Sequence, residues 1–360
     1  MKKSMRIYEG ERVPLVFQID SPAFTRHMLE HVFLRACLNA EISGEWRMRE
    51  LGEEVGKALK PFLKHAEAQA LGIIDESICV VSIGGGRKLK IKAGKNEGEL
   101  LKGRVEDTNA SELSELVEGL CMGMGMGMFI EVINGNDPHH MWESVFRGVG
   151  EAIRELRGRE NRAPSLTSTA ERETAETKIH ASLCLGKSGI SVHAPSPFSH
   201  RLEKLVSAMF SSTPISCSIN SRIKTYALSH AVLEDVGITI GIALKKMLRD
   251  GIEIGIESYG FCITPITLAA ISFEGRPSFH SNIPFSKTDI FCGRAEDIDD
   301  FLMGISNGSG ATLHLWVRKK TKAENAISKA LPCMGNAIRN SFLINPYRKG
   351  VIAAAKGVVD

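Results

Sequence analysis

Two short segments of the sequence place a histidine four residues before a glutamate, at His139 and Glu143 and again at His230 and Glu234. On a helix this spacing brings both side chains to one face, about 5–6 Å apart at their Cβ atoms. Imidazole and carboxylate groups at that separation suit two ligands of one metal ion, and His140 adds a further donor to the first pair. The sequence therefore predicts metal-binding helices, although such pairs also occur as simple hydrogen-bonded contacts on helix surfaces.

The secondary-structure elements predicted from the sequence occur in the same order twice along the chain. Alternating apolar residues predict a strand at 128–132, ahead of the first pair, and another at 313–317, ahead of a helix at 323–339. Phe24 and Phe198 each open an earlier helix. The chain is therefore predicted to be internally repeated.

A polar stretch without helical or strand periodicity separates the two copies. We assign residues 1–160 to the first copy, 161–171 to a linker and 172–360 to the second copy. A chain of 360 residues is long enough for two cores of ordinary size.

The composition excludes several classes of protein. Its 45 basic and 42 acidic residues are spread along the chain, so the sequence predicts no nucleic-acid partner. The basic start of the chain is not followed by an apolar segment, and the most apolar run is too short to cross a membrane. The eight cysteines are widely spaced and predict reduced thiols. Together these features predict a cytoplasmic protein with no membrane partner.

Five motifs resemble those of one enzyme family. The segment 228–244 resembles the first HHxxED signature of the imidazoleglycerol-phosphate dehydratase family, and 134–144 resembles its second. Residues 172–179 are similar to its RxTxETxI strand, 273–277 to its DLSGRP turn, and 355–358 to the end of its C-terminal loop. Since members of this family are about half as long as this chain, the resemblance implies two fused copies, the first of them degenerate.

The resemblance implies an α+β fold. Each dehydratase-like copy would consist of two similar halves, in which a four-stranded sheet is packed by two helices on one face. The implied activity is a hydro-lyase reaction of histidine biosynthesis, the metal-dependent dehydration of imidazole glycerol phosphate to imidazole acetol phosphate. The expected cofactor is Mn²⁺, one or two per site, the expected partner is the small phosphorylated imidazole substrate, and the chain is expected to form a homo-oligomer.

The metal ligands implied by the resemblance are divided between the copies. They are His27, His139, His140 and Glu143 in the first copy, and His230, Glu234 and His314 in the second. Ala231 replaces one family histidine, and either His200 or Arg201 takes the ligand position of the opening helix. Because each copy keeps what the other has lost, we predict one composite site, formed within one chain or between neighbouring chains.

Further roles are also implied by the resemblance. Glu176 matches a candidate general acid or base, and four cations match positions that bind the substrate phosphate: Arg276, Lys356, Arg147 and Lys329. The alternatives are a solvated carboxylate and ordinary surface cations. The alternative function is a catalytically silent, dehydratase-like structural or regulatory protein that retains a partial metal site.

Overall fold

The computed structural model divides the chain into two compact units, Met1–Arg159 and Glu160–Asp360, which we call unit 1 and unit 2. The residues described are 2–94, 97–225, 228–285, 289–291, 293–319 and 321–351. The stretch 161–171, expected to be a linker, lies in unit 2, and a strand begins within it at Thr167.

The first half of unit 1 contains a three-stranded sheet and two helices. Its elements are β1 (Ser4–Tyr8), β2 (Val16–Ile19), α1 (Ala23–Ala36), β3 (Asn39–Gly44) and α2 (Met48–Leu59). The strand order is β1-β3-β2, with β1 antiparallel and β2 parallel to β3. Among the residues described, this half therefore has one strand fewer than the four that were expected.

The second half of unit 1 contains a four-stranded sheet in the order β4-β5-β9-β6. Its elements are β4 (Ala68–Ile74), β5 (Ser77–Gly84), β6 (Leu89–Lys92), α3 (Glu97–Leu101), β7 (Arg104–Val105), β8 (Thr108–Asn109), α4 (Ala110–Met124), β9 (Gly127–Asn134) and α5 (Pro138–Arg157).

Unit 2 contains two four-stranded sheets, in the orders β10-β11-β13-β12 and β14-β15-β19-β16. Its first half comprises β10 (Thr167–Glu173), β11 (Thr177–Leu185), β12 (Gly189–His193), α6 (Phe198–Phe210), β13 (Ile215–Ile223) and α7 (Ser229–Ile252). Its second half comprises β14 (Tyr259–Ile263), β15 (Thr267–Ser272), β16 (Ser278–Ser281), β17 (Asp289–Ile290), β18 (Gly293–Arg294), α8 (Glu296–Ser309), β19 (Thr312–Val317) and α9 (Ala323–Ser341).

The three four-stranded sheets share one connectivity. In each, the first two strands are antiparallel, and the third strand along the chain joins the fourth in parallel, as β12 joins β13 and β16 joins β19. The mixed α+β class and the internal repeat predicted from the sequence are confirmed. The helices opened by Phe24 and Phe198 and the strands at 128–132 and 313–317 also lie where the sequence predicts them.

Paired glycines let two helices approach closely in each unit. In unit 1, a Cβ on Gly52 of α2 would lie 2.1 Å from the carbonyl oxygen of Leu116 in α4, a distance that no side chain tolerates. Gly119 of α4 has the matching constraint from α2, where a Cβ would lie 2.2 Å from the carbonyl oxygen of Arg49. In unit 2, helices α7 and α8 repeat the arrangement at Gly237, Gly241, Gly304 and Gly308. This shared packing is independent evidence of duplication.

Helix α5 lies directly on strand β4. A Cβ on Gly72 would lie 1.9 Å from the carbonyl oxygen of Ser144, so only glycine permits this approach. The helix residues Trp142, Phe146 and Val149 are fully buried against this layer. The start of α5, which carries the first histidine and glutamate pair, is therefore fixed against the sheet.

The expectations about membrane-spanning segments and about the cysteines can be compared with this fold. Within the residues described, none of the helices combines the length and the hydropathy needed to cross a lipid bilayer. The seven cysteines in the described part of the chain are free thiols, and five of them are buried.

Candidate metal site

Local sequence signals place the first histidine and glutamate pair at the beginning of α5. The carboxylate of Asp137 accepts a hydrogen bond from the backbone N–H of His139 at 2.9 Å, and Pro138 occupies the first turn. The Trp142 indole N–H donates to the carbonyl oxygen of Leu100 at 3.0 Å, which fixes the buried face of the helix. His139 and Glu143 then lie on the same side of α5.

Helix α1 supplies two further histidines, His27 and His31, which lie one turn apart. The start of α1 is held by Asp107, whose carboxylate accepts hydrogen bonds from the backbone N–H groups of Ala23 at 2.6 Å and Phe24 at 3.1 Å. Helix α1 packs against α5. The two helices therefore bring imidazole groups from α1 to the carboxylate on α5.

One carboxylate oxygen is the centre of this cluster. Oε1 of Glu143 lies 2.9 Å from Nε2 of His27, 3.2 Å from Nε2 of His31 and 3.7 Å from Nε2 of His139. The Nε2 atoms of His27 and His31 are 3.2 Å apart. In the part of the chain that the structure describes, His27, His31 and Glu143 form the one group whose donor atoms are close enough to hold a metal ion.

Burial and hydrogen bonds set the protonation of the cluster. Burial opposes ionisation of Glu143, but hydrogen bonds from His27 and His31 hold the pKa of this carboxyl far below its usual range. The hydrogen bond to Glu143 raises the pKa of His27, whereas burial, helped by the nearby Arg147 charge, lowers the pKa of His31 to about 3. His31 is therefore neutral near pH 7 and can offer a lone pair to a metal.

The spacing of these atoms also fits a metal ion. Two neighbouring ligand atoms that each lie about 2.0–2.2 Å from an ion are separated by about 2.8–3.6 Å in octahedral or tetrahedral geometry. The three separations within the His27, His31 and Glu143 group, 2.9, 3.2 and 3.2 Å, are close to that range. Three nitrogen donors and one carboxylate oxygen form a donor set suited to a first-row transition metal.

Two of these rings carry the outer hydrogen bond that is typical of metal-bound histidine. Nδ1 of His139 lies 3.0 Å from Oε1 of Glu106, and Nδ1 of His27 lies 3.3 Å from Oε2 of Glu30. A carboxylate at Nδ1 fixes the tautomer and leaves Nε2 as the ligand atom. Both Nε2 atoms point to Glu143.

The neighbouring His140 turns to a different group of side chains. Its Nδ1 lies 2.9 Å from Oε2 of Glu76, and its Nε2 lies 3.5 Å from Oδ2 of Asp75. The His139 and His140 rings are 5.7 Å apart and nearly perpendicular. His140 is thus close to the cluster but directed away from Glu143.

Unit 2 does not gather its expected ligands in the same way. His230 and Glu234 lie one turn apart on α7, and both are exposed. His314 is fully buried on β19, and its Nδ1 accepts a hydrogen bond from the Trp316 indole N–H at 3.2 Å. Because a neutral imidazole with Nδ1 as acceptor carries its proton on Nε2, this contact does not favour a metal-ligating Nε2 on His314.

The opening helix of unit 2 carries an arginine at the ligand position. Arg201 is the third residue after Phe198, as His27 is after Phe24, whereas His200 is exposed. The buried Arg201 guanidinium donates to the carboxylate of Asp297 and to the hydroxyl of Ser229, both at 2.5 Å, and to the carbonyl oxygen of Arg294. Arginine is a permanent cation, so this position holds an ion pair instead of a metal ligand.

The residues expected to act in catalysis and phosphate binding lie in diverse surroundings. Glu176 is exposed in the turn between β10 and β11, and Arg276 and Lys329 are also exposed in unit 2. Arg147, in contrast, is buried next to the metal cluster and donates to the carbonyl oxygen of Ile73 at 3.3 Å. Lys356 lies outside the described residues. Arg147 thus lies in unit 1, whereas Glu176, Arg276 and Lys329 lie in unit 2.

The motif around Glu176 has a clear structural role. The carboxylate of Asp235 accepts hydrogen bonds from Arg172 Nε at 2.8 Å, from Thr177 Oγ1 at 2.6 Å and from Thr174 Oγ1 at 3.3 Å. Asp235 therefore links the segments 172–179 and 228–244, which both resemble family signatures. This contact fixes the start of α7, where His230 and Glu234 lie.

The sequence reasoning missed His31. The available signal was its position four residues after His27, on the same face of a helix. The resemblance to the family implied His27 as a ligand on this helix and did not imply His31.

The fold and the site together define a protein of two related α+β units with a candidate metal site of histidine and glutamate ligands in unit 1. The sequence profile of the imidazoleglycerol-phosphate dehydratase family matches the chain twice, at residues 22–153 and 197–338. The chain therefore belongs to the imidazoleglycerol-phosphate dehydratase family, as a tandem fusion of two copies.

The individual relatives each match about half of this chain. The imidazoleglycerol-phosphate dehydratase of Pseudomonas fluorescens is 28% identical over 199 residues, which are 53% of this chain and 98% of that protein. The enzyme of Polynucleobacter asymbioticus is 31% identical over 196 residues, which are 52% of this chain and 95% of that protein. The crystal structure of the Staphylococcus aureus dehydratase matches 49% of this chain and 99% of its own, with 18% identity and a TM-score of 0.40.

Proposed function

We propose that this protein is a metal-dependent hydro-lyase that dehydrates imidazole glycerol phosphate to imidazole acetol phosphate in histidine biosynthesis. Membership of the dehydratase family, with two matched segments, supports the reaction class. The observation that carries the metal dependence is the convergence of three Nε2 atoms on one oxygen of Glu143. We propose Mn²⁺ as the ion.

The residues that would hold the ion are His27, His31, His139 and Glu143. A bound metal supplies a Lewis acid that can coordinate a nitrogen of the substrate imidazole ring. The chain's own contribution is to fix the ligands: Glu106 and Glu30 orient two of the rings, and the buried Arg147 adds positive charge beside Glu143. His140, on the same helix turn, is proposed as a ligand of a second ion.

The proposed roles of the remaining residues follow from their chemistry. Glu176 is exposed, as a general acid or base that meets substrate must be, and Arg276 and Lys329 are exposed cations suited to a phosphate group. The burial of Arg147 favours an electrostatic role at the metal cluster over direct contact with phosphate. Lys356 stays a prediction for the phosphate site.

The composite site also stays a prediction. In that hypothesis His230, Glu234 and His314 add ligands to the histidines of the first copy, within one chain or in a homo-oligomer. The exposure of His230 and Glu234 leaves them accessible for such a role, whereas the buried His314 has its Nδ1 engaged by Trp316.

Growth of a histidine-requiring strain that lacks its own dehydratase tests the proposed function. The parent protein is expected to restore growth without histidine, and His140→Ala is expected to abolish the rescue. The purified parent should also convert imidazole glycerol phosphate with added Mn²⁺ and lose this activity after chelation.

Glu118→Gln provides a control for general damage. Glu118 on α4 forms an exposed ion pair with Arg49 on α2, so this variant should rescue as well as the parent. A parent protein that is soluble but neither rescues growth nor converts the substrate would contradict the proposed reaction.

A further inference from the structure

The turn between β4 and β5 presents two acidic residues to His140. Asp75 has a φ of 42°, in the left-handed region that aspartate enters more readily than most residues. The side-chain amide of Asn134 donates to the carbonyl oxygen of Glu76 at 2.9 Å and so holds this turn against β9. The turn therefore has a defined conformation, with Glu76 on one side of the imidazole ring and Asp75 on the other.

The Glu76 carboxylate is itself held in place. Its Oε1 accepts hydrogen bonds from the backbone N–H groups of Asn136 at 3.2 Å and Asp137 at 3.3 Å, just before α5. Its Oε2 remains for Nδ1 of His140 at 2.9 Å. Both oxygens thus have assigned partners, and the carboxylate joins the β4–β5 turn to the helix that carries the histidines.

This anchoring distinguishes Glu76 from the other two carboxylates that face a histidine Nδ1. The side chain of Glu76 is 21% exposed, whereas those of Glu106 and Glu30 are 59% and 47% exposed. An exposed carboxylate exchanges its partner readily with water, so it constrains a ring weakly. Glu76 is the carboxylate best placed to control its histidine.

The contact determines where the imidazole proton lies. An ionised carboxylate only accepts hydrogen bonds, so Nδ1 of His140 must carry the proton, and the neutral ring then has its lone pair on Nε2. That lone pair faces the Asp75 carboxylate at 3.5 Å. Two acceptors that face each other are stabilised by a cation between them, either a proton or a metal ion.

We propose that Glu76 is a positioning residue that fixes the tautomer and orientation of His140, so that its Nε2 is presented beside Asp75 as a metal ligand. Glu76 acts through His140 and does not itself touch the metal. The inference rests on the proposed role of His140 as a ligand, but the protonation of the ring can be measured without any metal.

Unit 2 offers an internal comparison. Glu176 occupies the equivalent turn between the first two strands of its sheet, directly before Thr177, as Glu76 directly precedes Ser77. Glu176 is exposed, whereas Glu76 is bound to a ring and to two backbone N–H groups. The turn in unit 1 therefore makes a contact with a histidine ring, whereas the Glu176 carboxylate faces solvent.

Glu76→Gln tests this inference with little change in shape. The glutamine carbonyl oxygen can still accept from the two backbone N–H groups, so its amide must then donate to Nδ1 of His140. The proton should move to Nε2, which can no longer ligate as a neutral ring. In metal-free protein labelled with ¹⁵N-histidine, at a pH high enough for the ring to be neutral, NMR is expected to show protonated Nδ1 in the parent and protonated Nε2 in Glu76→Gln.

Metal titration supplies the second measurement. Loss of such a supporting carboxylate typically weakens metal binding about 10–100-fold. Glu76→Gln is expected to weaken Mn²⁺ binding by that factor at the His140 position, and the matched Glu118→Gln, at an exposed carboxylate paired with Arg49, is expected to change affinity less than about threefold. Glu76→Asp, which keeps an acceptor, should retain the parent tautomer.

The outcomes separate the two proposals. An unchanged His140 tautomer in Glu76→Gln, or an Mn²⁺ affinity within about twofold of the parent, would overturn the role of Glu76. A parent that shows the expected tautomer but binds no Mn²⁺ would contradict the proposed metal dependence instead.

Discussion

The opening helices of the two units occupy equivalent places but carry different chemistry. Helix α1 places His27 and His31 against Glu143 of α5, and this cluster requires a proton or a metal ion between its donor atoms. In α6 the corresponding positions after the phenylalanine are Arg201 and Leu205, and both are buried. Helix α9 contains no histidine, and its one acidic residue is Glu324.

The difference shows how equivalent positions of a duplicated fold can hold either a histidine cluster or an ion pair. In unit 2 the Arg201 guanidinium supplies the positive charge and Asp297 supplies the carboxylate, so the ion pair is complete within the protein. In unit 1 the Glu143 carboxylate is instead surrounded by His27 and His31, with the Arg147 charge nearby. The opening helix of one copy thus contributes to a histidine cluster, while that of the other forms a permanent internal ion pair.

The largest expected effect concerns the ion pair of unit 2. Asp297→Ala leaves Arg201 buried without its charge partner, since the two side chains are only 6% and 7% exposed. Removing one partner of a buried pair costs about 3–5 kcal/mol. Denaturant unfolding should show this loss both with and without Mn²⁺.

The control for that variant is Glu173→Ala. Glu173 forms exposed ion pairs with Lys178 and Lys224, and such pairs contribute about 0–1 kcal/mol. If Asp297→Ala costs no more than Glu173→Ala, the internal ion pair does not hold unit 2 together.

The second prediction concerns metal-dependent stability in unit 1. Mn²⁺ at about 100 times its dissociation constant should stabilise the parent by about 2.7 kcal/mol, because it binds only the folded site. Glu143→Gln keeps the size of the side chain but loses the charge on which the three imidazoles converge, so this increment should vanish. Thermal unfolding with Mn²⁺ and with a chelator measures it. An equal increment in parent and variant would place the stabilising ion elsewhere.

The third prediction transfers a residue of unit 2 into unit 1. His31→Leu introduces the residue that α6 has at Leu205 and removes one nitrogen donor from the cluster. We expect Mn²⁺ affinity to fall about 10–100-fold, equivalent to about 1.4–2.7 kcal/mol. Isothermal titration can measure this change, and the buried position should accept leucine without unfolding. Unchanged affinity would show that His31 is not a ligand.

The smallest expected effect is the difference in thiol reactivity between the two hydrophobic cores. Cys79 in unit 1 and Cys217 in unit 2 should be equally inaccessible to a reagent. Burial raises the pKa of the Cys79 thiol in unit 1 and of the Cys217 thiol in unit 2 to about 12. Alkylation requires the thiolate, so both should resist iodoacetamide at pH 8, while the partly exposed Cys184 reacts. Mass spectrometry of tryptic peptides can follow the rates. Faster labelling of Cys217 than of Cys79 would show that unit 2 opens more readily.

Much of the fold could be predicted because its signals are local. The N-cap at Asp137 and Pro138 fixes the beginning of α5, and alternating apolar residues fix the strands before it. The family signatures identified His27 and Glu143, which the structure brings together. These predictions depend on periodicity and spacing, which a single sequence contains.

The remaining features depend on contacts between distant segments. The orientation of His140 depends on Glu76, and the burial of His314 depends on Trp316 and on the sheet around it. Whether Arg201 or His200 faces inward depends on Asp297, 96 residues further along the chain. Spacing could not reveal these partners, because each is selected by the packing of separate elements.

The most direct test of the account is a crystal structure of the full chain with Mn²⁺, with anomalous scattering recorded to locate the ion. The account predicts an anomalous peak about 2.0–2.3 Å from Nε2 of His27, Nε2 of His31 and an oxygen of Glu143, with Arg201 still paired to Asp297. Absence of that peak at saturating Mn²⁺, with the three side chains in hydrogen-bonded contact only, would contradict the claim that unit 1 holds a metal.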